Sequence, residues 1–192
     1  MKTNRLEAFS DGVLAIIITI MVLQLKAPEG VEIKDLVKNV PVFISYLLSF
    51  VYIGIYWNNH HHLLQITKRV NGKMLWANLH LLFWLSLVPF ATSWIGENHV
   101  EALPVSLYGF VLFMSGIAFS ILKNVIVSHH ADDKSFKKLF TNGYKPVVTI
   151  LMYFIGMFVA FYNPWIAIAC YVLVTLVWII PNRKIEKKYL ED

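Results

Sequence analysis

The sequence predicts an all-α, polytopic membrane protein: six transmembrane helices with both termini cytoplasmic. Three observations carry that reading. Of 192 residues, 57% are hydrophobic and 15% charged, against about 45–50% and about 25% in soluble domains. A mean hydropathy of +0.59 leaves too much apolar surface for a small water-soluble globule. Six apolar runs, at about 5–25, 41–65, 74–95, 103–127, 146–161 and 165–180, alternate with polar turns. Finally, with the termini on one side, all but Lys26, Lys34 and Lys38 of the 17 Lys and Arg fall on that side. That bias places it in the cytoplasm. Residues 1–192 read as one six-helix domain.

Each element has a local reason. The first run, Arg5 to Leu25, matches the roughly 20 residues that cross a ~30 Å hydrocarbon core. No small-residue cleavage site follows it, so it is expected to stay as a span. Asn4, with Glu7 three residues on, reads as an N-cap and its reciprocal partner. Lys26-Ala27-Pro28-Glu29-Gly30 is a breaker turn, and Val31–Asn39 is a short amphipathic lead-in. Pro41 opens the second span, which ends near Gln65 after Asn58-Asn59-His60-His61-His62. Lys68, Arg69, Asn71, Gly72 and Lys73 form the next loop. The third span carries Pro89 as an internal kink, and the loop after it holds Glu97 and Glu101. Beyond the fourth span, His129 and His130 are expected as solvated loop residues in the long polar stretch to Lys145. Asn163-Pro164 makes a tight hairpin between the last two spans, and Pro181 ends the sixth before a charged tail. Trp94, Trp165, Tyr162 and Tyr189 fit an interfacial aromatic belt.

Polar residues inside spans need partners in lipid. Asp11 lies roughly 9 Å along the first span at about 1.5 Å per residue. Trp57, Asn58, Asn59 and His60 of the second span and Asn78 and His80 of the third lie at a similar depth. Ser10 and Asp11 are therefore expected to hydrogen-bond to that layer and pin the first helix. A proton relay through Asp11 and a histidine is the sharper alternative. The run His60-His61-His62 is not read as a metal site, because consecutive helical residues point about 100° apart whereas ligand pairs use i, i+3 or i, i+4. The single cysteine, Cys170, excludes an internal disulfide. No cofactor, no converging catalytic set and no enzyme activity is expected. The basic balance is a topology signal, so no nucleic-acid partner is expected either. No span carries the periodic Arg/Lys row of a voltage sensor.

A second face of the first helix differs. With Ile16 as reference and about 100° per residue, Ile20 falls at about 40°, Leu23 at about −20° and Thr19 at about −60°. Ser10 and Asp11 lie more than about 100° away. One face bears the polar pair, the other an aliphatic ridge. Spacing alone makes that ridge a lipid or helix contact.

The motif Arg5-x-x-x-Phe9-Ser10-Asp11, at the start of a first span, resembles the signature of the transmembrane protein 175 family, which holds the lysosomal potassium channel of animals and its single-repeat prokaryotic relatives. Trp57 with nearby histidines, Asn78 with Ser86-Leu87-Val88-Pro89-Phe90, and the six-span layout are similar too. The resemblance implies a homotetramer in the cell membrane whose first helices line a central potassium-permeable pore. It implies a hydrophobic constriction at Ile16, Ile20 and Leu23, a polar layer at Thr19, and Arg5, Phe9, Ser10 and Asp11 as a structural motif. No carbonyl-lined filter segment is present. The partners so implied are the chain itself, lipid and potassium ions. A proton-coupled or proton-conducting transporter and a non-conducting structural protein remain the other readings.

Overall fold

The computed structural model of the chain describes residues 3–65, 67, 69–98, 100–129 and 144–179, and every regular element among them is an α-helix. In chain order these are α1 Thr3–Leu23, α2 Ile33–Lys38, α3 Val40–Gln65, α4 Gly72–Ser86, α5 Val88–Glu97, α6 Ala102–His129, α7 Lys145–Val159 and α8 Pro164–Ile179. Four stretches are long and apolar enough to cross a bilayer: α1, α3, the α4–α5 pair and α6. The apolar helices α7 and α8 are shorter, at 15 and 16 residues. Lys68, His130, Ile180, Pro181 and the tail with Tyr189 lie outside the described residues.

Two expectations about ends are corrected. Asn4 does not cap α1. The helix already includes Thr3, whose Oγ1 donates to the Thr67 carbonyl, and the Glu7 carboxylate turns to α3 instead. His129 is not a loop residue either. It closes α6, and its Nδ1 lies 3.5 Å from Asn71 Nδ2. Asn71 in turn caps α4, its Oδ1 accepting from the Met74 N–H at 3.0 Å.

The expected kink of the third span is a break. Leu87 separates α4 from α5 while staying in the right-handed helical region, its N–H bonding to the Trp84 carbonyl at 3.2 Å in a tightened i→i−3 turn. Pro89 is the cause: it lacks an N–H, and its ring crowds the carbonyl four residues back. Within α5 it occupies the first turn, where a missing N–H costs nothing. At the α7–α8 hairpin, Asn163 Oδ1 accepts from the backbone N–H groups of Trp165 at 2.9 Å and Ile166 at 3.4 Å. The side chain thus satisfies donors that the helix start would leave bare.

The bundle has two parts. The principal neighbours of α1 are α3, α4 and α5, while α6 packs against α4, α5, α7 and α8, and α3 meets α8. The second part centres on Tyr171, fully buried. Gly109 of α6 and Gly156 of α7 lie so close to its ring that a Cβ at either would overlap it. Between α3, α5 and α6, Ser49 Oγ contacts Thr92 Oγ1 at 2.6 Å and Tyr108 Oη at 3.0 Å, so these buried hydroxyls satisfy one another. By contrast α2 buries none of its residues.

Candidate functional site

Three helices meet in one buried polar chain. Ser10, Asn78 and His60 are 0%, 0% and 2% exposed. Ser10 Oγ donates to the Leu6 carbonyl at 2.8 Å, which leaves the oxygen to accept from Asn78 Nδ2 at 2.9 Å. Asn78 Oδ1 then faces His60 Nε2 at 2.7 Å. That direction assigns the proton of the neutral ring to Nε2. His60 Nδ1 is buried with no hydrogen-bond partner among the described residues.

Beside this chain runs a two-rung ladder between α1 and α3. Trp57 Nε1 donates to Asp11 Oδ1 at 3.0 Å. One turn along both helices, His61 Nδ1 meets Glu7 Oε1 at 2.8 Å. The Trp57 and His61 rings stack, centroids 5.9 Å apart and 19° between planes. Both pairs use i, i+4 spacing on antiparallel helices, so one register serves both rungs. Glu7 and His61 were missed as a pair in the sequence. The signal was there: Asp11 with Trp57 fixes the register that brings them together.

Other residues of the expected layer do not join. Asn59 Nδ2 turns back to the Ile55 carbonyl at 2.8 Å, on the side of α3 that faces α6 and α7. His80 Nε2 accepts from Trp84 on its own helix at 2.9 Å, and half-buried Asn58 enters neither group. Arg5 and Phe9 of the motif are exposed. Consecutive His60 and His61 turn to different helices, as their 100° separation requires.

The face of α1 opposite Ser10 is open. Ile16, Ile20 and Leu23 are 60%, 44% and 76% exposed, and Ala8, Gly12, Ala15 and Thr19 share the exposed arc. Thr19 Oγ1 donates to the Ala15 carbonyl at 2.8 Å. Its proton is used inside the helix, so the hydroxyl offers only oxygen lone pairs outward. At the far end of α1, Glu97 pairs with Lys26 at 3.5 Å, which offsets its charge.

With this geometry in place, known proteins can be set beside it. Residues 5–89 match the family model described as endosomal/lysosomal potassium channel TMEM175. A potassium channel of Chryseobacterium sp. (strain P1-3) is 53% identical over 192 residues, all of both chains. The chain belongs to the TMEM175 family. A potassium channel of Chamaesiphon minutus is 35% identical over 63% of this chain and 64% of its own length. The endosomal/lysosomal proton channel TMEM175 of Gallus gallus is 32% identical over 55% of this chain, which is 25% of that longer protein. The crystal structure of a lysosomal potassium-selective channel TMEM175 homolog from Chamaesiphon minutus superposes with a TM-score of 0.77 at 27% identity, covering 92% of this chain and 96% of that one. The family fold therefore extends over 92% of this chain, beyond the residues that carry the motif.

Proposed function

We propose that this chain is one subunit of a homotetrameric, potassium-permeable, leak-like cation channel of the cell membrane. In this reading residues 1–192 form one domain of six spans with both termini cytoplasmic, and four α1 helices enclose the pore. The observation that carries it is the division of α1. One face is pinned through Ser10 and Asp11, and the other leaves three large aliphatic side chains without a partner in the subunit. Relatives that share the fold are named potassium channels.

Ile16, Ile20 and Leu23 form the constriction and Thr19 the polar layer. A ring of aliphatic methyls cannot coordinate a cation, so passage requires partial dehydration, and the gap can close by dewetting. Sodium holds its hydration shell more tightly than potassium and is disfavoured, though less than by a carbonyl filter. Potassium and sodium currents through purified protein in a planar bilayer test the reading, with Ile16→Asn beside wild type. Wild type passes potassium over sodium, and the variant conducts more with that preference reduced. A silent wild type removes the channel.

One observation favours a second reading, proton conduction. The buried His60 keeps a bare Nδ1 at the end of a directional chain through Asn78 to Ser10, and the chicken relative is named a proton channel. Acidification of vesicles under a potassium gradient, monitored with a pH dye, separates the two ions.

A further inference from the structure

We propose that the slot between α3, α6, α7 and α8 seats an anionic phospholipid of the cytoplasmic leaflet. The part-open slot holds about 40 Å³; Gly116, Phe119, Ile150 and Trp178 give it a mainly apolar surface, with Asn59 and Ser120 beside them. Its apolar surface suits the terminal methylenes of an acyl chain. Of its four helices only α3 is a principal neighbour of α1. A tetramer built around α1 leaves this side to the lipid.

Charge selects the headgroup. Lys123 follows Phe119 and Ser120 by one turn on the same face of α6, so it stands at the mouth of the slot. It is half-buried, and among the described residues no carboxylate pairs with it. Lys145 precedes Pro146 of the slot wall, and its Nζ donates to the Val177 carbonyl at 3.2 Å, beside Trp178. Two lysines thus flank an apolar slot at one end. Basic pockets between spans on the cytoplasmic side take anionic headgroups in this way, the lysine stems lying along apolar surface. The leaflet assignment rests on the orientation proposed above; the binding itself does not rest on ion conduction.

Native mass spectrometry of the detergent-purified full chain, with phosphatidylglycerol or phosphatidylcholine added, tests the proposal. Wild type retains phosphatidylglycerol in preference. Lys123→Gln lowers its retention about five-fold and leaves phosphatidylcholine unchanged. Gly116→Leu, which fills the slot, lowers both. Equal retention of the two lipids, or Lys123→Gln behaving as wild type, overturns the site, whether or not Gly116→Leu folds. In a Cys170→Ser background, labelling of Lys123→Cys by an impermeant maleimide outside intact cells overturns the leaflet assignment and, with it, the orientation.

Discussion

Trp57 Nε1 donates to Asp11 Oδ1 at 3.0 Å across the α1–α3 contact. It does so from a side chain that is 47% exposed in the single subunit. The acceptor is a carboxylate in the third turn of an apolar helix, so the bond is charge-assisted. Partial exposure keeps its net worth modest.

A double-mutant cycle on Trp57→Phe and Asp11→Ala measures that worth. The expected coupling is about 1 kcal/mol, within the range for polar contacts between spans. Asp11→Asn retains an acceptor oxygen and is expected to behave nearly as wild type in thermal unfolding. A stable Asp11→Ala protein with altered ion preference would instead move Asp11 into the conduction path.

Ser10→Ala removes the acceptor of a fully buried Asn78 amide. The orphaned donor costs about 1–3 kcal/mol, more than the ladder bond, because no water reaches it. Denaturant titration followed by far-UV circular dichroism reads the difference, with Ser10→Ala expected below Trp57→Phe in stability.

Thr19→Val keeps shape and deletes the oxygen. The expected result is sustained conduction with a smaller potassium preference, and Thr19→Ser is expected to restore it. Reversal potentials under bi-ionic conditions measure the change. An unchanged preference in Thr19→Val would remove the polar layer from the mechanism.

Cysteine crosslinking maps the open face of α1. In a Cys170→Ser background, Ile16→Cys is expected to form disulfide-linked dimers under mild oxidation, and Ile126→Cys, buried inside the subunit, is not. Purified protein that runs only as a monomer in mild detergent would sink the tetramer.

Gly109→Val sets a side chain against the Tyr171 ring. Overpacking of this kind costs about 1–3 kcal/mol, so the melting temperature falls. The potassium-to-sodium preference is expected to stay, since α1 does not pack on this part of the bundle.

Much of this was legible from chemistry that acts locally. Six apolar runs and their breakers announce the helices, and burial of a polar pair in lipid demands partners for Ser10 and Asp11. Which partners they find was less legible. Asn59 and His80 sit at the right depth but on the wrong azimuth, and depth is all that span counting supplies. Asn4 and Glu7 had the spacing of a capping box, yet His61 across the helix contact took the Glu7 carboxylate. Pro89 marked a distortion correctly, but only the positions of Leu87 and its i→i−3 bond distinguish a bend from a break. The slot flanked by Lys123 needs α3 brought against the last three helices, and no local pattern announces that.

The break at Leu87 divides the third span into two rods. On one side of it, α4 holds α1 through Asn78 and Ser10; on the other, α5 leans on α1 as a separate rod. Near the break, Ser86 Oγ donates to the Phe83 carbonyl at 2.7 Å, an oxygen whose usual partner, the Leu87 N–H, has turned to Trp84. The first helix is thus held by two different rods, α4 near its start and α5 farther along.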